Sequence, residues 1–208
     1  EWDARLAWAS YPVFRDWTER MGGPPVFTRT GFVNVVGPEY AEALRRNVEM
    51  LRGIGVNTIA LAPQELKDLQ PFTNVEDLGA AAYEPDSGYA NPGDAVEGLG
   101  RRARELGARV LQWTRVTQIL RHGDAVVGVE TSAGRIDAGA VVIAAGAWAP
   151  RICREIGFAL PARSKAVDTA VVTRPPELAE PHLIFIDNVQ GTYFRPESGI
   201  LTIVGIPC

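Results

Sequence analysis

The 208-residue chain is 46% hydrophobic and 22% charged, proportions of a folded globular protein that exclude disordered and fibrous classes. Its 21 basic and 25 acidic residues give a net charge of −4, without the basic surplus expected of a nucleic-acid-binding protein. Two cysteines cannot form a disulfide framework, and the longest uncharged apolar run is too short for a bilayer. We therefore expect a cytoplasmic protein with no membrane span and no nucleic-acid partner.

The first part of the chain alternates helical and strand patterns. Pro12 interrupts the first helical stretch and Gly22 stops it, whereas Pro38 is well placed to open the next helix. The predicted elements are a helix over residues 2–21, a strand over 31–37, a helix over 38–53, a strand over 58–61 and a short helix over 63–69.

The middle of the chain combines one helix with a run of strands. Asn91 is a good N-cap and Pro92 suits the first helical position, so a helix is predicted that ends near Gly107. The strands expected after it cover residues 108–111, then a β-meander over 115–121, 125–131 and 135–137, then an uninterrupted apolar strand over 140–146 of the kind buried in parallel sheets.

The last quarter of the chain is predicted to form an antiparallel sheet. Turn-forming residues such as Pro196 and Gly199 separate its β-like runs. The four strands are expected over residues 167–173, 183–186, 193–195 and 200–205.

Several of these segments, in this order, resemble the FAD-dependent D-amino-acid oxidase and sarcosine oxidase family, which includes glycine oxidase-like enzymes. The resemblance rests on residues 86–92, 107–119, 141–148 and 193–197. It implies an α/β fold with an α+β substrate domain. A partial FAD-binding domain of the glutathione-reductase-like, D-amino-acid-oxidase type would hold the β-meander, and a mixed or antiparallel sheet would bind the substrate. The implied division is 1–85 and 158–208 for substrate and 86–157 for FAD.

The small residues that follow the apolar strand are the first candidate site. Small side chains at the carboxyl end of a parallel strand let a flat or phosphorylated ligand approach the backbone, although a tight turn without a ligand explains them equally well. The family resemblance implies that the backbone of Arg115 and Val116 approaches the FAD adenine. It implies further that the adenosine and pyrophosphate side of FAD is lined by Ala144, Ala145, Gly146 and Trp148.

Tyr193 and Arg195 are the candidate substrate-binding residues. Alternation along a strand places both on one face, and an Arg fork binds a carboxylate through two parallel hydrogen bonds. The alternative is that Arg195 is a solvated charge at a strand end. His122 and His182 are predicted to be surface residues, and Cys153 a small core residue; no metal-ligand spacing accompanies them, and no catalytic residue is assigned.

The sequence lacks the G-x-G-x-x-G turn with which the family holds the pyrophosphate, because Gly98 and Gly100 fall inside a predicted helix and Gly53 and Gly55 follow one. The family's carboxyl-terminal part is missing too. We therefore expect an internal fragment that binds little or no FAD, is inactive alone and self-associates through exposed core surface.

The parent protein is expected to be an FAD-dependent oxidoreductase that oxidises an amino or N-methylamino acid, a small-molecule substrate, by hydride transfer to the flavin. Two alternatives stay open. One is a flavin dehydrogenase of a hydroxy acid or polyol phosphate, and the other is a non-catalytic truncated module that never binds FAD.

Overall fold

The computed structural model describes residues 1–178 and 180–206, which fall into two compact units. The larger unit comprises residues 1–106 and 167–208, and the smaller unit residues 107–166. The helices are α1 (Trp2–Arg15), α2 (Trp17–Met21), α3 (Ala41–Gly53), α4 (Pro63–Leu69), α5 (Pro92–Glu105) and α6 (Ala149–Glu155). The strands are β1 (Phe27–Arg29), β2 (Phe32–Val36), β3 (Ile59–Leu61), β4 (Ala80–Glu84), β5 (Gly88–Ala90), β6 (Val116–His122), β7 (Ala125–Thr131), β8 (Gly134–Asp137), β9 (Asp168–Thr173), β10 (Ile184–Asp187), β11 (Thr192–Pro196) and β12 (Leu201–Ile206).

Helix α5 begins as its sequence predicts. The Asn91 side-chain oxygen accepts hydrogen bonds from the backbone N–H groups of Gly93 and Asp94, at 2.9 and 3.2 Å, and Pro92 follows at the first helical position. One face of this helix packs on Trp17 of α2, whose side chain is 1% exposed. Both helices therefore share a small apolar core.

The larger unit is built on a seven-stranded sheet of order β3-β4-β2-β10-β11-β12-β9. Every neighbouring pair is antiparallel except β2 and β10, which run parallel. The antiparallel sheet predicted for the last quarter of the chain is confirmed, and β2, β4 and β3 extend it. Strands β1 and β5 pair separately with each other.

The two faces of the large sheet are covered differently. On one face, a fully buried cluster joins β2, β4, β10 and α4; its buried members are Val33, Val35, Leu66, Leu78, Ala81 and Phe185. On the opposite face α3 packs over β2 and β4, and this second cluster consists of Val36, Ala41, Leu44, Val48, Ala80 and Ala82. On the face that α3 covers, the part of the sheet formed by β9, β10 and β11 has none of the larger unit's described helices over it, and apolar side chains such as Val171 and Ile186 are exposed there.

The smaller unit contains the predicted meander, a three-stranded sheet of order β6-β7-β8. The strands expected over residues 108–111 and 140–146 are absent from it, and Val142 is 88% exposed. A buried parallel strand needs hydrogen-bonding neighbours. Among residues 107–166, all of them described, the meander is the only sheet and offers no such neighbour. The prediction of a buried strand before Gly146 is therefore wrong for this chain.

The assignment of residues 1–85, 86–157 and 158–208 to substrate and FAD binding remains a prediction. Over the described part of the chain, none of the helices has both the length and the apolar character needed to cross a membrane.

Candidate functional site

Tyr193 and Arg195 lie two residues apart on β11 and project from the sheet face that α3 covers over its other half. The strand register places Tyr193 between Ile186 of β10 and Gly205 of β12. Ile186 in turn lies beside Asn34 of β2. These side chains therefore form one row across the sheet, with Arg195 in the adjacent row.

The Tyr193 ring lies against Gly205. A β-carbon added at Gly205 would overlap the ring atoms of Tyr193, so only glycine permits this close approach. The glycine thus leaves room for the phenol group of Tyr193 against the backbone of β12. Tyr193 as a whole remains 37% exposed.

Arg195 is held by three groups. Its Nη2 donates to Glu197 Oε2 at 2.7 Å, its Nη1 donates to the carbonyl oxygen of Pro196 at 3.2 Å, and its guanidinium carbon lies 4.6 Å from the centre of the Tyr89 ring. The Arg195 and Glu197 side chains are only 23% and 24% exposed. Arg195 is therefore an ion-paired, half-buried residue and not the solvated strand-end charge of the alternative interpretation.

Glu197 is bound at both oxygens. Besides the Arg195 contact through Oε2, its Oε1 accepts hydrogen bonds from the backbone N–H and the hydroxyl of Ser198, at 3.0 and 3.3 Å. The Ser198 backbone N–H, and after it the Arg195 charge, holds the pKa of Glu197 below its ordinary value of 4.5. The carboxylate is thus ionised and paired at neutral pH.

A groove of about 740 Å³ lies on the same face of the sheet, over β2 and β4. Phe32, Asn34 and Glu84 contribute to its lining, together with side chains of α3 and of the first turn of α1. Asn188 Nδ2 donates to Asn34 Oδ1 at 2.6 Å and so links the groove to the strand end of β10. Apolar side chains of β2 and α3 line the groove together with the carboxylates of Glu1, Asp3 and Glu84 and the amides of Asn34, Asn47 and Asn188.

The candidate adenine contact lies in the smaller unit, at the start of β6. Arg115 points its backbone toward β7, because its N–H donates to Ser132 Oγ at 3.0 Å and its carbonyl accepts from Ser132 N–H at 2.8 Å. Alternation along the strand turns the N–H and C=O of Val116 toward the outer edge. Within the described residues β6 pairs only with β7, so this donor and acceptor fit a flat heterocycle such as adenine.

Of the other cofactor candidates, Ala144 and Ala145 lie in an irregular segment, and Gly146 and Trp148 belong to the 3₁₀ turn that leads into α6. Gly146 has a φ of +50°, and open space surrounds the position of its missing β-carbon. Trp148 is 71% exposed. A ligand can approach this backbone, as the small residues suggested, although the strand that was expected to present it is not formed.

No G-x-G-x-x-G turn complements these residues in the part of the chain that the structure describes. Gly98 lies inside α5 against Trp17, and Gly53 is the last residue of α3. Within the described residues, the smaller unit offers a strand edge without a partner at Val116 and an open backbone at Gly146, but no glycine-rich cradle for a pyrophosphate.

His182 is a residue that the sequence interpretation placed wrongly. It is half-buried, with its ring edge-on to Phe194, and Nδ1 donates to the carbonyl of Leu183 at 2.7 Å. Nε2 lies 2.7 Å from Thr202 Oγ1, which donates to it in the neutral ring. Burial lowers the pKa of His182, an effect that Arg174 reinforces. A surface position was expected because long-range strand contacts such as that to Thr202 leave no local sequence signal.

His122 and Cys153 agree with the sequence interpretation, His122 as an exposed residue at the end of β6. Cys153 is a buried residue of α6, as predicted. The described residues contain no cluster of His, Cys, Asp or Glu that could hold a metal ion.

The family described as "DAO: FAD dependent oxidoreductase" matches residues 1–206. The chain belongs to this family, whose members depend on FAD.

Similar proteins agree with this membership. The chain is 29% identical over 185 residues to sarcosine oxidase subunit beta of an Arthrobacter species and 31% identical over 167 residues to glycine oxidase of Geobacillus kaustophilus, covering 86% and 80% of this chain. The crystal structure of L-proline dehydrogenase from P. horikoshii superposes with a TM-score of 0.82 at 27% identity and covers 98% of this chain. The chain spans 45%, 43% and 55% of these three proteins, respectively.

Proposed function

We propose that the protein to which this chain belongs oxidises an amino acid or N-methylamino acid. FAD, when bound, supplies the two-electron acceptor for the hydride that leaves the substrate carbon. The observation that carries the proposal is the exposed apolar face on which Tyr193 and Arg195 lie side by side. The family match over residues 1–206 supports it.

The roles proposed for this chain's own residues are binding and orientation. The Arg195 fork binds the substrate carboxylate and the Tyr193 hydroxyl donates a second hydrogen bond to it. Ile186, between Tyr193 and Asn34 in the same row, supplies apolar surface that excludes water from the substrate. These contacts would hold the substrate amine in a fixed orientation.

The proposed cofactor-binding part is residues 86–157. There the outward-facing backbone of Val116 hydrogen-bonds the adenine, and Arg115 anchors the strand through Ser132. The adenosine and pyrophosphate side is lined by Ala144, Ala145, Gly146 and Trp148. Residues 1–85 and 158–208 are the proposed substrate-binding parts.

The proposed reaction is tested in the full-length protein supplied with FAD. We expect anaerobic sarcosine or glycine to bleach the flavin absorbance, and a panel of amino and hydroxy acids followed by oxygen uptake and dye reduction to identify the substrate class. Bleaching by hydroxy acids alone, or by none of these compounds, would contradict the proposal.

The role of Arg195 is tested by Arg195→Ala, which should raise KM for carboxylate substrates by at least about tenfold because a charge-assisted pair is lost. Arg135→Ala is the matched control, since it removes an exposed ion-paired arginine of the smaller unit. An unchanged KM in Arg195→Ala would remove Arg195 from the site.

We also infer that the 208-residue chain by itself binds little FAD and is inactive, because its sequence has no glycine-rich pyrophosphate turn. Its exposed apolar side chains, such as Val142 and Trp148, favour self-association. The visible spectrum of the purified chain and its sedimentation coefficient test these two statements; a stoichiometric yellow monomer would contradict both.

A further inference from the structure

The ion pair between Arg195 and Glu197 bears directly on how the proposed substrate would bind. Arg195 already contacts a carboxylate, at 2.7 Å, in a half-buried place on the face proposed for substrate binding. We propose, building on the proposed function, that Glu197 is a specificity-determining residue: it occupies Arg195 as an internal carboxylate, and the carboxylate of the substrate must take its place.

The two oxygens of Glu197 have separate partners, which makes this exchange feasible. Oε2 contacts Arg195 alone among the described residues, whereas Oε1 is held by the backbone N–H and hydroxyl of Ser198. When a substrate carboxylate replaces Oε2, Glu197 keeps its Ser198 hydrogen bonds. The turn after β11 therefore stays in place while the Arg195 guanidinium changes its carboxylate partner.

The position of Arg195 does not depend on Glu197 alone. The Tyr89 ring lies 4.6 Å from the guanidinium carbon, and the Pro196 carbonyl accepts from Nη1. The ring covers one side of the guanidinium plane and leaves its edge, where the N–H groups lie, for a carboxylate. Arg195 therefore stays oriented when its internal partner leaves.

The consequence is a lowered affinity for carboxylates. A substrate carboxylate meets an arginine whose charge is already balanced, so its binding energy is reduced by that of the contact it replaces. Substrates that carry a carboxylate would bind more weakly for this reason, and amines without a carboxylate would not be affected. Glu197 thereby sets the balance between these two substrate classes.

Glu197→Gln tests the inference with little disturbance of the turn. The glutamine oxygen can still accept from Ser198, whereas its amide nitrogen cannot accept from Arg195. In the FAD-loaded full-length protein, KM for sarcosine should fall about fivefold, and KM for dimethylamine, which has no carboxylate, should not fall. Glu105→Gln is the matched control, because it changes the net charge equally at an exposed ion pair on α5.

A second measurement does not need activity. In the ¹⁵N-labelled protein, the Arg195 side-chain resonance is followed during titration with sodium acetate, and we expect Glu197→Gln to respond at about one-fifth of the acetate concentration that the unsubstituted protein needs. Identical titrations, or equal changes in KM for sarcosine and dimethylamine, would overturn the inference. If no amine is oxidised at all, the proposed function fails, and the acetate titration still decides the role of Glu197.

Discussion

Replacing Gly98 with alanine tests the packing of α5 on Trp17. A β-carbon at this position would lie 2.5 Å from Trp17 Cζ2, and the indole, 1% exposed, has no room to move aside. Overpacking of this kind costs about 3 kcal/mol at its upper range, whereas alanine gains about 1 kcal/mol over glycine inside a helix. The net expectation is therefore a loss of about 2 kcal/mol in unfolding free energy.

Gly100→Ala is the matched control on the same helix. The nearest atom to its β-carbon would be Arg104 Nη1 at 3.7 Å, an ordinary contact, so the change should stabilise the protein by about 0.5–1 kcal/mol. Urea unfolding followed by circular dichroism measures both variants, and an unchanged m-value shows that the midpoints are comparable. Equal stabilisation by the two alanines would refute the packing argument at Gly98.

Three further predictions concern the site and its surroundings. Burial lowers the pKa of His182 below its ordinary value of 6.5. The stability that the neutral ring contributes is therefore present above pH 6.5 and is lost as the pH falls through the lowered pKa. In unfolding midpoints measured over a series of pH values, His182→Gln should remove this pH dependence. Val116→Pro should weaken FAD binding in the full-length protein while leaving the meander folded, because it removes an outward-facing N–H, whereas Val129→Pro in the central strand should unfold it. Gly205→Ala should displace the Tyr193 ring and raise KM for carboxylate substrates, and an unchanged KM would exclude Tyr193 from substrate binding.

Local sequence signals predicted most of the helices, the β-meander and the antiparallel pairs of the last quarter, whereas strands β1, β4 and β5 were not predicted. The N-cap at Asn91 and the turn at Gly199 depend only on neighbouring residues, and the structure confirms the elements they bound. The parallel pairing of β10 with β2 joins segments about 150 residues apart and has no local signal. The prediction of a buried strand before Gly146 was wrong for a related reason. The composition of this apolar run suits a buried strand, but a strand also needs neighbouring strands to pair with, and composition carries no information about them.

The candidate site shows the same division between local and long-range information. Tyr193 and Arg195 could be placed on one face from their spacing alone, because alternation is a property of any strand. The glycine beneath Tyr193 could not be identified, since the register of β11 with β12 determines which residue lies opposite. The pairing of His182 with Thr202 depends likewise on the tertiary fold.

The contacts of Arg195 include one that is local in the sequence and one that is long-range. Glu197 follows it by two residues, in the turn after β11, so this ion pair is a local contact. Tyr89, which supports the guanidinium from β5, lies more than 100 residues earlier and appears only in the fold. The ion pair alone would make Arg195 a local structural residue. The Tyr89 ring is a second contact to the guanidinium, separate from Glu197, and the proposed exchange of carboxylates at Arg195 depends on it.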